Sequence, residues 1–363
     1  MILGNLRKYD IMIGKISCLA DGGYRHIIKE IKMENENQSI ISDQEVSRAK
    51  EIIDAINGYY GEKMVGQKRL AKSLLVSLMC NGHILIESVP GLAKTTAAKI
   101  LTESVAGEFS RIQCTPDLLP SDIIGTQILN YASNTFETKL GPVVANFVLL
   151  DEVNRSSAKT QSAMLEVMQE RHVTIGGEAY SMPDVFMVIA TQNPIEQEGT
   201  YLLSEAQLDR FLIKEKLYYP SPEEELTILD RIEKEVFLDG RAVVNIDDVR
   251  FLQGLTKRVY IDESIKKYII ELVNATRWPE RFISKELSEY ITLGSSTRGC
   301  IALMETAKAV ALSNGRNFVL PEDVKEMIHG VLRHRITLNF AAIADNITEE
   351  MIINAILGAI KTP

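Results

Sequence analysis

Three short apolar runs, each ending in polar residues, decide what this chain can fold into. The first, Leu85-Ile86, passes through Glu87 into Ser88-Val89-Pro90-Gly91-Leu92-Ala93-Lys94-Thr95-Thr96. The second, Phe147 to Leu150, ends on Asp151 and Glu152, and the third, Val185 to Thr191, ends on Gln192-Asn193-Pro194. Uninterrupted apolar runs of this length fit strands buried on both faces of a parallel sheet. Open sheets of that kind bind ligands beyond the carboxyl ends of their strands, where all three polar tips fall.

The tips differ in chemistry. A strand that runs into Gly-Lys-Thr and then a helix makes a phosphate cradle, because backbone N–H groups and the helix N-terminus point at the anion. On that reading Lys94 reaches the β- and γ-phosphates and Thr95 holds Mg²⁺. The usual frame is Gly-x4-Gly-Lys-Ser/Thr, and Ser88 and Ala93 stand at its two glycine positions. The turn at Ser88 must therefore avoid positive φ or carry strain. Asp151 is placed to orient a metal-bound water and Glu152 to polarise the water that attacks the γ-phosphate. A strand ending in a solvated acidic loop is common on its own; with the phosphate turn upstream, the pair points to a nucleotide hydrolase. Asn193 is expected beside both acids, where it can hydrogen-bond the attacking water or the γ-phosphate. An Asn-Pro turn closing a strand is the plainer alternative, and the position after a third buried strand favours the functional one.

With Leu203 to Phe211 added, the chain resembles the AAA+ ATPases, and among them the MoxR family of the helix-2-insert branch. The residues that carry the resemblance are Val-Pro-Gly-Leu-Ala-Lys-Thr (89–95), Arg-Ile-Gln-x-Thr-Pro-Asp-Leu-Leu-Pro-Ser-Asp (111–122) and Leu-Asp-Glu-Val-Asn-Arg (150–155). Ala-Thr-Gln-Asn-Pro-Ile-Glu-Gln-Glu-Gly-Thr-Tyr (190–201) and Ala-Gln-Leu-Asp-Arg-Phe (206–211) complete them, and the likeness runs from about Ile53 to the C-terminus. It implies ATP and Mg²⁺ as cofactors and an adenine pocket lined by Met64, Val65, Gly66 and Gln67. It also implies that Arg210 is an arginine finger on the nucleotide of a neighbouring subunit. Arg298, closing Gly294-Ser295-Ser296-Thr297-Arg298, would be a second sensor arginine that the lid carries onto the nucleotide. Thr297 and Gly299 stand where the family usually has proline and alanine, and Gly299 weakens the start of that helix slightly. The family further implies a homo-oligomeric ring, a hexamer, that acts as a chaperone in the maturation of a protein client. A separate von Willebrand A-domain protein is its frequent partner. This chain has no Asp-x-Ser-x-Ser metal site of that domain, so the partner would be another protein.

Composition narrows the alternatives. The 363 residues carry a net charge of −9, which gives no basic footprint for nucleic acid. The four cysteines are scattered and the five histidines lack metal-ligand spacing, which fits a reducing cytoplasm and argues against a zinc site. No apolar run reaches the ~18–20 residues needed to span a bilayer. A GTP-operated switch lacks its Asn/Thr-Lys-x-Asp motif. A nucleotide-gated scaffold that does not hydrolyse, and a chelatase-like motor of the same branch, stay open.

The organisation that follows is α/β: an AAA+ P-loop core with a parallel sheet and inserted hairpins, then a small all-helical lid. Residues 1–32 are expected to be an extension outside the fold, with Met33 as the native start; residues 33–219 form the nucleotide-binding core and 220–363 the lid. Ser42-x-x-Glu45 is a capping box for a helix that runs to Asn57-Gly58. Two hairpins interrupt the core. One has its turn at Ala132-Ser133-Asn134, and the other at Gly176-Gly177, a strong two-residue signal. In the family such insertions line or rim a ring pore. Tyr219-Pro220-Ser221-Pro222 reads as the hinge. Beyond it, Ile265, Tyr268, Ile269, Leu272, Val273 and Thr276 make one helical face. Further helices start at Thr297 and at Pro321-Glu322-Asp323.

Overall fold

The computed structural model describes residues 41–89, 91–194, 200–234 and 240–363. Residues 1–32, Pro90 of the phosphate turn and residues 195–199 of the third-strand motif lie outside the described residues. The strands follow as β1 (Ile84–Glu87), β2 (Phe109–Gln113), β3 (Gly125–Asn130), β4 (Thr135–Leu140), β5 (Phe147–Asp151), β6 (His172–Ile175), β7 (Glu178–Ser181), β8 (Met187–Gln192) and β9 (Ile213–Lys216). β9, β1, β8, β5 and β2 pair in that order, every pairing parallel, as the apolar runs require. The register sets Glu87 beside Gln192 and Asp151 beside Gln113, so the polar tips meet along one edge.

α1 (Asp43–Lys63) and α2 (Lys68–Met79) precede β1, and between the strands run α3 (Lys94–Ser104), α4 (Pro120–Ile124), α5 (Ala158–Glu170) and α6 (Glu205–Leu208). Leu85, Val148, Leu150, Val188 and Ala190 turn to one face of the sheet and join a core with Met164, Leu165, Met168, Leu203 and Phe211. Removing each large side chain from water contributes roughly 1.5–3 kcal/mol. α1 does not stop at Asn57-Gly58 but continues to Lys63. Tyr59 and Tyr60, the next two residues, are buried at 3% and 4% exposure, and their burial outweighs the ~1 kcal/mol that a glycine costs a helix.

The inserted hairpins form as expected, β3 with β4 and β6 with β7. Gly176 and Gly177 take φ of +61° and +88°, the left-handed pair that a tight hairpin turn needs. The hairpins touch, through a Tyr180 hydroxyl that donates to Thr138 Oγ1 at 3.1 Å.

After the core come α7 (Pro222–Glu233), α8 (Ile246–Arg258), α9 (Glu263–Arg277), α10 (Lys285–Ser288), α11 (Thr297–Ser313), α12 (Pro321–Leu332), α13 (Phe340–Ala344) and α14 (Glu349–Ala359). The predicted face of α9 is wholly buried. Within the helical lid one short strand pair forms, Ile291–Leu293 antiparallel with Thr337–Leu338. Gly294 permits this, because a Cβ there would stand 2.3 Å from the Thr276 carbonyl oxygen. The chain does not separate cleanly after Pro220. Val244–Asn245 pairs parallel with Val105–Ala106, and Gln253 of α8 donates to the Leu78 carbonyl at 2.8 Å. Residues 43–363 pack as one unit. Among the described residues no helix is long and apolar enough to cross a membrane.

Candidate nucleotide site

The phosphate turn resolves its two missing glycines differently. Ser88 is buried and does not take positive φ; its N–H continues the β1–β8 ladder to the Gln192 carbonyl at 3.2 Å. Gly91 takes φ +85° and Ala93, the N-cap of α3, takes φ +54°. An alanine in the left-handed region carries about 1–2 kcal/mol of strain, and such strain gathers at functional turns. Lys94 folds back over the turn, with Nζ 3.0 Å from the Ser88 carbonyl oxygen. Val89 is half-buried, Leu92 buried, and Thr96 exposed on the first turn of α3.

Asp151 closes the turn from β5. The Thr95 hydroxyl donates to Oδ2 at 3.2 Å and the Thr191 hydroxyl to Oδ1 at 2.7 Å. Arg111 Nη2 also reaches Oδ2, at 2.6 Å. Burial opposes the charge on Asp151, but the bonds from Thr191, Arg111 and Thr95 prevail and hold its carboxyl below the usual range. Thr95 and Asp151 offer hard oxygens within one ion's reach of each other, a donor set that fits Mg²⁺.

Glu152 sits at φ +58°, ψ +52°, a strained conformation for a residue with a long side chain. Its N–H donates to Thr191 Oγ1 at 2.9 Å, so one threonine fixes both acids. Arg155 Nε and Gln113 Nε2 stand 3.1 Å and 3.4 Å from its Oε2. Asn193 lies at the adjacent tip, buried to 3% exposure, with its carbonyl accepting from Asn154 Nδ2 at 3.3 Å. It borders an open cleft of about 630 Å³ that Glu87, Gln192, Thr200 and Lys214 also line. Burial favours the neutral form of Glu87; Lys214 at 2.7 Å and Gln192 at 2.5 Å override it and keep the carboxyl low.

The Val65-Gly66-Gln67 loop follows α1. Val65 is half-buried, Gly66 takes φ +70° against the Glu224 carboxylate, and Gln67 Nε2 donates to the Tyr218 carbonyl at 3.1 Å. Met64 and Gly66 line a hollow of about 450 Å³ with Tyr60, Leu75 and, from the end of α11, Ser313 and Asn314.

The two arginines lie elsewhere. Arg210 Nη1 donates to the Leu165 carbonyl at 2.7 Å, on the α5 face. Two residues later Leu212 N–H donates to the His83 carbonyl at 2.8 Å, at the start of β1. The four residues of β1 separate that end from the phosphate turn by about 13 Å. Arg298 is held on the Asp209 side of the lid. Its Nη1 is 3.7 Å from Asp209 Oδ2, immediately beside Arg210. The reason is a clasp: Asp209 also accepts from Ser296 Oγ at 2.9 Å and from buried Arg335 at 2.8 Å, while Arg335 donates to the Phe211 carbonyl at 2.7 Å.

Sequence reasoning missed Arg111, Gln113 and Thr191. The signal for each was a polar residue at or near the tip of a strand neighbouring Asp151. It missed Asp209 and Arg335 because nothing local links residues 126 positions apart.

Residues 83–213 match the model of the ATPase family associated with various cellular activities (AAA), and residues 284–356 that of the AAA lid domain. The chain is similar to Chaperone MoxR1 of Mycobacterium tuberculosis, 46% identical over 300 residues that cover 83% of this chain and 79% of that one. It is similar to YeaC of Bacillus subtilis, 44% identical over 301 residues, covering 83% and 91%. A crystal structure of a candidate ATPase from Cytophaga hutchinsonii superposes with a TM-score of 0.80 at 46% identity, covering 92% of this chain and 99% of that one. Identity at this level, sustained through sheet and lid alike, means that the chain belongs to the MoxR family of AAA+ ATPases.

Proposed function

We propose that the chain hydrolyses ATP in a ring of identical subunits, hexameric on the family pattern, and uses the cycle to remodel or mature a protein client. The observation that carries this is a separation within one chain. Lys94, Thr95, Asp151, Glu152 and Asn193 gather at the carboxyl edge of the sheet, whereas Arg210 and Arg298 are presented together toward its other end. Among the described residues neither arginine bonds to its own phosphate turn, and in this reading a second copy whose arginine face docks on that edge completes the site.

In this reading the backbone from Ser88 to Thr96 cradles the phosphates, with Lys94 turning from the Ser88 carbonyl to the β/γ-phosphate oxygens. Thr95 and Asp151 would hold Mg²⁺, which supplies charge neutralisation on the phosphate oxygens. Glu152 takes the proton of the attacking water once freed from Arg155, and Asn193 orients that water. The hollow beside Met64, Val65, Gly66 and Gln67 receives the adenine. Arg210 and Arg298 from the neighbour stabilise the charge that develops on the γ-phosphate. Residues 33–219 then serve as the core and 220–363 as the lid. The β3–β4 hairpin, with Tyr131 and Phe136 exposed at 88% and 68%, is the surface for an apolar client segment. A von Willebrand A-domain protein as adaptor, and a cytoplasmic setting, follow from the family alone.

The test is ATP turnover per subunit against protein concentration, with Glu152→Gln and Arg210→Ala beside the wild type. Turnover should rise with concentration, and Arg210→Ala should lose roughly 10³–10⁵-fold, as for arginine fingers supplied in trans. Turnover that is flat with concentration and indifferent to both substitutions, with ATP binding intact, would replace the motor with a nucleotide-gated scaffold.

A further inference from the structure

One carboxylate oxygen has two claimants. Asp151 Oδ1 is taken by the Thr191 hydroxyl, which leaves Oδ2 to face Thr95, the other candidate metal ligand, at 3.2 Å. Arg111 Nη2 stands 2.6 Å from that same Oδ2, and the same nitrogen lies 3.1 Å from Gln113 Oε1. The Arg111 side chain is 51% exposed, so it can swing outward without opening the core. A guanidinium held 2.6 Å from Oδ2 disfavours a divalent cation at the same oxygen, because like charges there repel strongly at low dielectric.

We propose that Arg111 is a tethered cation that occupies the metal locus of Asp151 in the metal-free state, is displaced when Mg²⁺ enters, and thereby sets the metal affinity of the site. The inference rests on the reading of Thr95 and Asp151 as metal ligands. It differs in sign from the alternative that Arg111 braces Asp151 permanently. A brace, when removed, lets the carboxylate wander and weakens metal binding; a competitor, when removed, strengthens it.

The experiment is a titration of the protein–ADP complex with Mn²⁺, followed by the paramagnetic resonance of the free ion, so that no turnover is needed. Arg111→Met should bind Mn²⁺ about tenfold more tightly than wild type, the factor expected when one charge-assisted hydrogen bond no longer has to be broken. Arg111→Gln, which keeps hydrogen bonding and drops the charge, should tighten binding in the same sense, and Arg111→Lys should stay near wild type. Arg155→Met, which removes a cation from Glu152 instead, should change the affinity less than Arg111→Met. Unchanged or weaker Mn²⁺ binding in Arg111→Met and Arg111→Gln overturns the proposal. Asp151→Asn separates that failure from the failure of the site itself: if it leaves Mn²⁺ affinity untouched, the metal binds elsewhere and both readings fall.

Discussion

His83 should make the sheet sensitive to mild acid. The imidazole is buried at 5% exposure just before β1, and both ring nitrogens are committed. Nδ1 accepts from the Val188 N–H at 3.0 Å, so Nε2 carries the proton and donates to the Met168 carbonyl at 3.2 Å. A second proton would turn Nδ1 into a donor facing another donor. Burial, and then the nearby Arg171 guanidinium, push the pKa from 6.5 down to about 3. The folded value lies below the unfolded one, so this contribution is complete above pH 6.5 and drains away as pH falls toward 3. One pH unit within that window corresponds to 1.36 kcal/mol, so a drop from pH 6.5 to 5.0 costs about 2 kcal/mol. His334 shifts in the same direction, by burial and then Arg335, and steepens the loss. The assay is urea unfolding at pH 7 and pH 5 for wild type and His83→Asn, whose amide oxygen can still accept from Val188. The wild type should lose about 2 kcal/mol more than the variant on acidification. Equal losses would refute the reasoning, since they would mean that His83 is already protonated in the fold or that water reaches it.

Two further outcomes test the geometry. Ala93→Gly relieves the φ of +54° and should raise unfolding stability by about 0.5–1 kcal/mol; a loss of that size in urea unfolding would mean that the turn is not strained in solution. Asp209→Asn leaves Arg335, 3% exposed at its side chain, without its carboxylate, and should destabilise by about 3 kcal/mol, whereas a merely superficial pair would stay within about 0.5 kcal/mol.

The sheet and its edge were legible because burial on both faces writes an unbroken apolar run, and because the residues after each run have only one place to go. Asp151, Glu152 and Asn193 lie where that logic puts them, and Gly176-Gly177 makes its turn as read. What could not be read depends on pairings between distant segments. Arg111 is an ordinary strand residue until the β2–β5 register brings Gln113 beside Asp151. α1 overran Asn57-Gly58 because Tyr59 and Tyr60 find a core that no local pattern announces. The surroundings of Arg298 were not legible for a similar reason: the motif identifies the arginine, but Ser296, Asp209 and Arg335 decide where it stands.

That clasp also constrains how nucleotide could move the lid. Arg335 holds the Asp209 carboxylate and the Phe211 carbonyl at once, and Arg333 donates to the Lys214 carbonyl at 3.2 Å. α12 lies close along β9, with Gly330 leaving only 3.1 Å between an added Cβ and Ile213. Buried polar contacts of this kind are costly to break one at a time, so β9 and α12 are expected to move together. A change at the phosphate turn has a short polar route toward β9, from Glu87 at the end of β1 across 2.7 Å to Lys214. Under the proposed ring, a shift that began at one chain's phosphates would reach β9 and, through Asp209, the arginines offered to a neighbouring copy.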